Sequence, residues 1–454
     1  MQRTCAVVVL GVGLSGCASV NPEPAWLDVN QRITDRGAPG ALWVRTPDQA
    51  SAAAKTVAEL LLGELTVEHA VRIALVNNPS LQATFEEIGI SQAELAQAGL
   101  LTNPTLGGSL RSPNRAGAST NIELSLVQNL LDLIVRPARR RVGAAQLEQT
   151  KLRVGSQALQ LVADVKTAHY TLQARAQMAS RLRLVLEIAE AAADFAERQH
   201  EAGNIGDLEL QNHQAAKNQA KAELAMEESH LRRDREPLNR LLGLQGPATR
   251  WRIADRLPKI PDANVADGDL ETLALAQRLD LAAARWGVDI VGRALALKKK
   301  TRYFPVGIDV GIEAERDVDG TRSIGPSLAV QLPIFDTGKA QIAQLEAQER
   351  RARRQLEALS IDARSEVREA RERVAAAREL ARFHRDVLLP QRVAILDLSL
   401  RHYNMMLKGV YDVLLAKQQE VAGERAYVEA WRDYWIAMTE LERAVGGRLP
   451  EGGQ

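Results

Sequence analysis

The chain has 454 residues, with 58 basic and 57 acidic side chains and a formal net charge of +1, a balance that leaves no footprint for a nucleic-acid partner. Hydrophobic residues make up 46% of it but aromatic ones only 4%, so Ala and Leu carry the apolar share, which suits closely packed helices better than a bulky globular core. Past the N-terminus no run of about eighteen apolar residues occurs, which excludes a transmembrane helix there; a membrane span in this chain must be built of strands.

The first residues read as a targeting segment. Arg3 supplies the positive charge and residues 6–14 a short apolar core. Leu14-Ser15-Gly16-Cys17 follows directly and resembles a bacterial lipobox. This predicts a signal peptide over 1–16, cleavage before Cys17 and lipidation of that Cys; Ala18, not Asp, implies sorting to the outer membrane. The alternative is an ordinary signal peptide that happens to hold a Cys. Cys5 leaves with the signal, so the mature chain forms no internal disulfide.

Residues 17–63 read as a lipid-anchored arm of weak structure, because Pro22, Pro24, Gly37, Pro39, Gly40 and Pro47 interrupt any long pattern. Trp26 and Trp43 are the residues expected to dock it. From Leu65 the pattern is helical, with Thr66 as N-cap and Val67, Ala70, Val71, Ala74 and Leu75 as an apolar stripe. Asn77-Asn78-Pro79 stops this helix, and another covers about 81–101.

Two strands follow, about 104–111 and 120–129. Leu106, Gly108 and Leu110 alternate with Gly107 and Ser109; Ile122, Leu124 and Leu126 alternate with Glu123, Ser125 and Val127. A long helix is predicted from about Pro137 to Glu201, a tip over 202–207, and a return helix over 208–242 closed by Gly243. Residues 244–268 form a proline-containing linker.

The same order then recurs over 269–446. Strands fall at about 304–314 and 323–333, where Val306, Ile308, Val310 and Ile312, then Ile324, Leu328, Val330 and Leu332, occupy alternate positions. Pro333-Ile-Phe-Asp-Thr-Gly338 opens a charged helix that would be ~90 Å long by Leu400 at ~1.5 Å per residue, kinked at Pro390. A tip at about 407–412 and a return helix to Val445-Gly446 complete the copy, leaving a tail over 447–454. Gln128 matches Gln331, Gln146 matches Gln344, Asp207 matches Asp412 and Gly243 matches Gly446. The chain is therefore a tandem repeat with a period of about two hundred residues.

Four strands cannot close a barrel, for which about eight is the lower limit. Neighbouring copies in a symmetric ring can supply the rest. The strand length and the apolar/polar alternation suit a tilted membrane strand with one face to lipid and one to water. A solvated coiled coil without a pore is the competing reading, but it leaves the hairpins unexplained.

These residues resemble the TolC-type outer-membrane efflux protein family, in its lipoprotein members. The resemblance spans 65–446 and the lipobox. Leu65-Thr-Val-Glu-His-Ala-Val-Arg-Ile-Ala-Leu-Val-Asn-Asn-Pro-Ser-Leu81 is similar to the family's opening, and Pro333-Ile-Phe-Asp-Thr-Gly338 to its strand-to-helix turn. The first copy departs from that turn, with Asn129-Leu-Leu-Asp-Leu-Ile-Val-Arg-Pro137 in its place. The resemblance implies a mainly helical fold with a membrane β-barrel: a homotrimer whose twelve strands form a barrel continuous with a helical periplasmic tube. It also implies a Gram-negative outer-membrane location, a periplasmic adaptor and an inner-membrane, proton-driven pump as partners, and no cofactor. Type I protein secretion and a non-porous lipid-anchored scaffold are the alternatives in function.

By the same resemblance the helix tips are the functional positions. Asp207 and Asp412, with Glu209 beside them, match acidic residues that narrow the pore, where a ring of carboxylates favours cations; Leu415 stands where a further acid is common. Each carboxylate can equally serve as the cap of its return helix. Gly203, Gly206 and Gly409 are expected to permit the tight reversal, and Asn204, Ile205, Val410 and Tyr411 to meet the adaptor. His402, Met405 and Met406 are spaced to share one helical face, with donors that suit a soft metal, although ordinary bundle packing accounts for them as well. No triad, phosphate loop or convincing metal pattern points to an enzyme.

Overall fold

The structure is a computed structural model that describes residues 20–112, 114, 119–261, 268–302 and 307–450. Cys17 and the signal segment lie outside these residues, as do positions 303–306 at the start of the third predicted strand.

The arm is folded, which corrects the expectation of weak structure. Helices α1 (Glu23–Thr34) and α2 (Pro47–Leu60) carry it. Pro22, Pro24 and Pro47 sit at helix starts, where a missing N–H costs nothing, and Pro39 lies in the segment between the two helices. Thr46 and Gln49 form a reciprocal capping box at α2. Trp26, Val29 and Ile33 fall on one face of α1 and are buried, as is Trp43. Trp26 meets Phe85 edge-on at 4.6 Å between ring centroids. The arm thus completes the core of the first repeat.

A two-residue strand β1 (Glu64–Leu65) leads into α3 (Val67–Asn77) and α4 (Pro79–Ala98). Thr66 caps α3 and Asn78 caps α4 through side-chain oxygens. The hairpin β2 (Thr105–Arg111) and β3 (Asn121–Asn129) precedes α5 (Leu131–Glu201) and α6 (Asp207–Leu242). α5 starts six residues before the expected Pro137. That proline is accommodated inside its second turn, where it removes the backbone bond to the carbonyl of Leu133.

The connecting segment holds a 3-10 turn and β4 (Arg252–Ile253), which pairs in parallel with β1. The second repeat follows: α7 (Leu270–Gln277), α8 (Leu279–Thr301), β5 (Ile308–Arg316), β6 (Arg322–Val330), α9 (Lys339–Phe383), α10 (Leu389–Asn404) and α11 (Val410–Val445). α9 and α10 are joined by a π turn over His384–Leu388, with the Leu389 N–H on the His384 carbonyl. Pro390 cannot donate to residue 386, and the wider turn absorbs that lost bond.

Asn77 and Asn78 tie the start of the first repeat to its end. The Asn77 amide donates to the carbonyls of Leu242 and Gly243, and Asn78 to that of Leu241. Arg278 takes this place in the second repeat, with Asp280 and Glu366 each at 2.7 Å and the Ala444 carbonyl at 3.4 Å. Both carboxylates strengthen its charge, and Arg278 in turn holds Asp280 below the usual carboxylate range against the opposing effect of burial. Tyr170, Met178 and Leu182 of α5 pack with Val421 and Val428 of α11, so the two repeats share a core.

His169 is buried at 2% exposure in α5. Its Nε2–H donates to the Leu65 carbonyl at 2.9 Å, and Nδ1 has no partner among the described residues. Burial lowers its pKa below the ordinary 6.5. The unfolded chain therefore takes up the proton more readily, and stability present above pH 6.5 falls as pH drops below it. Thermal melts at pH 7.5 and 5.5 are expected to differ more in the wild type than in His169→Gln. An equal pH response in both proteins would remove this residue from the account.

Candidate functional site: the sheet faces and the helix tips

The four long strands form one antiparallel sheet in the order β2-β3-β5-β6. The pairing of β3 with β5 places Leu126 beside Ile312 and Leu124 beside Ala314, joining segments about two hundred residues apart. Registers across the sheet align Leu106, Leu126, Ile312 and Pro326 in one row. Because side chains alternate, every second residue shares that face. It carries Leu110, Leu124, Val310, Ile324 and Leu328 as well, all exposed, with Ile324 at 81%. Pro326 sits on an edge strand, where its missing N–H is tolerated.

The opposite face is polar. Ser109 donates to Glu123 at 3.0 Å, Asn121 to Glu315 at 2.8 Å and Asn129 to Asp309 at 2.8 Å. Glu313 lies on the same parity. All four strand carboxylates therefore face one side and the large aliphatic residues the other. Among the described residues β2 and β6 keep unpaired edges, and an exposed edge is a template for another strand.

At the far end of the helices the two tips are built alike. In the first, the Gly203 N–H reaches the His200 carbonyl and the Asn204 N–H that of Gln199, both at 2.8 Å. In the second, the Met406 N–H reaches Tyr403 at 2.8 Å and the Leu407 N–H reaches His402 at 2.9 Å. Gly203 has φ 75° and Met406 φ 58°. The left-handed residue of the second tip is thus a methionine, which bears the steric cost that glycine avoids. Gly206 and Gly409 are extended and act as N-caps, so of the three tip glycines only Gly203 needs a left-handed backbone.

This geometry corrects the register between copies. α6 and α11 are both 36 residues long, and each follows a glycine N-cap. Glu209 and Asp412 are both the third residue of their helix, so Asp412 is equivalent to Glu209 and Val410 to Asp207. Asp207 instead receives His200 Nε2 at 2.7 Å across the tip. Asp412 accepts the Gly409 N–H at 3.2 Å, so its capping role is real. Asn204, Asp207, Glu209 and Asp412 are exposed, Ile205 and Val410 half-buried; Tyr411 lies in the first turn of α11.

His402, Met405 and Met406 do not share a helical face. α10 ends at Asn404, and the two methionines belong to the turn. Sequence reasoning missed a different feature of the same segment: Met405, Met406 and Leu407 are exposed at 66%, 95% and 69%, with Leu208 at 78% on the first tip. The apolar triplet ahead of Gly409 was the available signal. Among the described residues, no group of His, Cys, Asp and Glu could hold a metal ion.

A sheet with one apolar and one acidic face, continued by paired long helices in two copies, defines a TolC-like channel protomer. Comparison with known proteins agrees. The outer membrane efflux protein model matches residues 70–244 and 270–447. The cobalt-zinc-cadmium resistance protein CzcC of Cupriavidus metallidurans is 24% identical over 392 residues, covering 85% of this chain and 90% of that protein. The Campylobacter jejuni CmeC outer membrane channel superposes with a TM-score of 0.73 at 15% identity, over 94% of this chain and 93% of its own. The open-state MtrE outer membrane channel of Neisseria gonorrhoeae gives 0.65 at 18%, over 86% and 90%. The chain belongs to the outer membrane efflux protein family.

Proposed function

We propose that three copies of this chain close a twelve-stranded barrel in the outer membrane of a Gram-negative cell and form the passive exit duct of a tripartite efflux system. The observation that carries this reading is the sorting of the sheet: exposed aliphatic residues on one face, Glu123, Asp309, Glu313 and Glu315 on the other. Such a sheet suits lipid outside and water inside, and its two open edges suit pairing with neighbouring copies. Cys17 would add a lipid anchor.

In this reading the tips meet a periplasmic adaptor that connects to an inner-membrane, proton-driven pump. The exposed Met405, Met406, Leu407 and Leu208 offer apolar surface for that contact, and Met406 keeps its side chain there at a backbone cost. Glu209 and Asp412 form the ring that narrows the pore, and Asp207 braces the first tip beside it through His200. The acidic lumen suits cations, and the relative named for cobalt, zinc and cadmium resistance makes divalent metal ions the first cargo to test.

The test is complementation. A strain lacking this gene but retaining its pump and adaptor is expected to become sensitive to zinc and cadmium, and to recover with the wild-type gene. Unchanged metal tolerance, with loss of secreted polypeptides instead, would replace efflux by protein secretion.

A further inference from the structure

Among the described residues the apolar face of the sheet, on which Gln128 is the polar residue nearest the helices, carries charge in one place. At the end of the hairpin farthest from the helices, β5 finishes at Arg316 and β6 begins at Arg322, and these two are paired directly across the strands. The register places Arg316 beside Ile122, and Ile122 beside Leu110. Both arginines therefore stand on the aliphatic face. They are exposed, and neither takes part in an ion pair among the described residues.

The distribution of charge along the four strands is sharp. The carboxylates Glu123, Asp309, Glu313 and Glu315 all occupy the opposite parity, and so does Arg111, which approaches Glu123 at 3.9 Å. Nearby Asp317 and Asp319 are engaged in the turn, accepting the N–H groups of Val318 and Thr321. Like charges placed directly opposite on a sheet repel and destabilise the pairing. Two guanidinium groups in that position call for an anion between them, and a guanidinium is suited to bidentate phosphate contacts.

Height supports the same reading. The row Ile308–Val330 lies eight positions below the row Arg316–Arg322 on the same face. Eight residues span ~27 Å along a strand, or about 20 Å along the membrane normal at a tilt of ~40°. An apolar band on a barrel is ~25 Å tall, so the arginines stand at its upper border.

We infer that Arg316 and Arg322 form a site for the phosphate of an outer-leaflet lipid headgroup, three such sites ringing the trimer at the exterior rim. This rests on the reading of the sheet as an outer-membrane barrel with its aliphatic face to lipid. The site ties the exterior rim to the surrounding phosphorylated glycolipid and neutralises the cross-strand repulsion.

The full-length trimer purified in detergent, titrated with bis-phosphorylated lipid A, tests this. Arg316→Gln/Arg322→Gln is expected to weaken binding on the order of thirtyfold, at roughly 1 kcal/mol for each cation near a phosphate surface. Dephosphorylated lipid A is expected to bind the wild type as weakly as lipid A binds the double variant. Arg111→Gln, one residue beyond that row and on the opposite face, is expected to leave binding unchanged. Equal binding by wild type and double variant overturns the inference while leaving the channel reading intact. Displacement of lipid A by millimolar inorganic phosphate makes it a free-phosphate site and overturns it too. Absence of a trimer from the outer-membrane fraction of wild-type cells overturns both readings.

Discussion

In planar bilayers the Glu209→Ala/Asp412→Ala trimer is expected to lose most of the cation preference of the wild type, with the permeability ratio in a salt gradient falling severalfold. Both residues are the third of a return helix behind a glycine N-cap, so in the proposed trimer three chains would bring six carboxylates to one level. In a narrow pore such a ring concentrates cations and repels anions. Asp207→Ala is expected to act differently. Its carboxylate is held by His200 at 2.7 Å across the turn, and removing it loosens one tip without subtracting from the equivalent ring. Open-channel frequency should rise more than selectivity changes. If Asp207→Ala abolished selectivity and the double variant kept it, the register drawn from the caps would be wrong.

The second large effect is on folding. Gly243→Ala is expected to destabilise the protomer by about 3 kcal/mol and to cut the yield of trimer sharply. The position has φ 67°, where a Cβ costs about 1–2 kcal/mol on its own. Here that Cβ would also stand 2.5 Å from the Asn77 carbonyl oxygen. Relief requires moving the segment whose Asn77 amide bonds Leu242 and Gly243, at about 1 kcal/mol per bond disturbed. Gly203→Ala provides the control: φ is 75°, yet nothing lies within 4 Å of an added Cβ. Its cost should be the backbone component alone, about 1 kcal/mol. Equal melting temperatures for the two variants would show that the contact with Asn77 does not constrain the fold.

Much of this architecture was legible before any coordinates, and what was legible is local. Alternation over residues such as Leu106–Leu110 and Ile308–Ile312 marks strands because side chains change face at every residue. Thr66, Asn78 and Gly243 mark helix boundaries because each satisfies backbone groups within a few positions of itself. The order of these signals, repeated about two hundred residues apart, was enough for the resemblance to efflux channels and for locating the two tips.

The points that shifted depend on partners remote in sequence or on backbone conformation. The arm appeared broken by its prolines, but Trp26 and Ile33 are buried in a core shared with residues of α3, α4 and α5. A left-handed residue at the first tip is announced by Gly203; at the second it is Met406, and no composition rule selects a methionine for φ 58°. That misplaced the match to Asp412 by two positions. Composition and periodicity by themselves determined the repeat, the strands, the long helices and the acidic tips, since hydrophobic period and capping chemistry are properties of neighbouring residues. Only the tertiary structure decided which carboxylates share a level and which arginines stand opposed on the aliphatic face. Register is set by hydrogen bonds between segments far apart in the chain, and a shift of one residue would send every side chain to the other face.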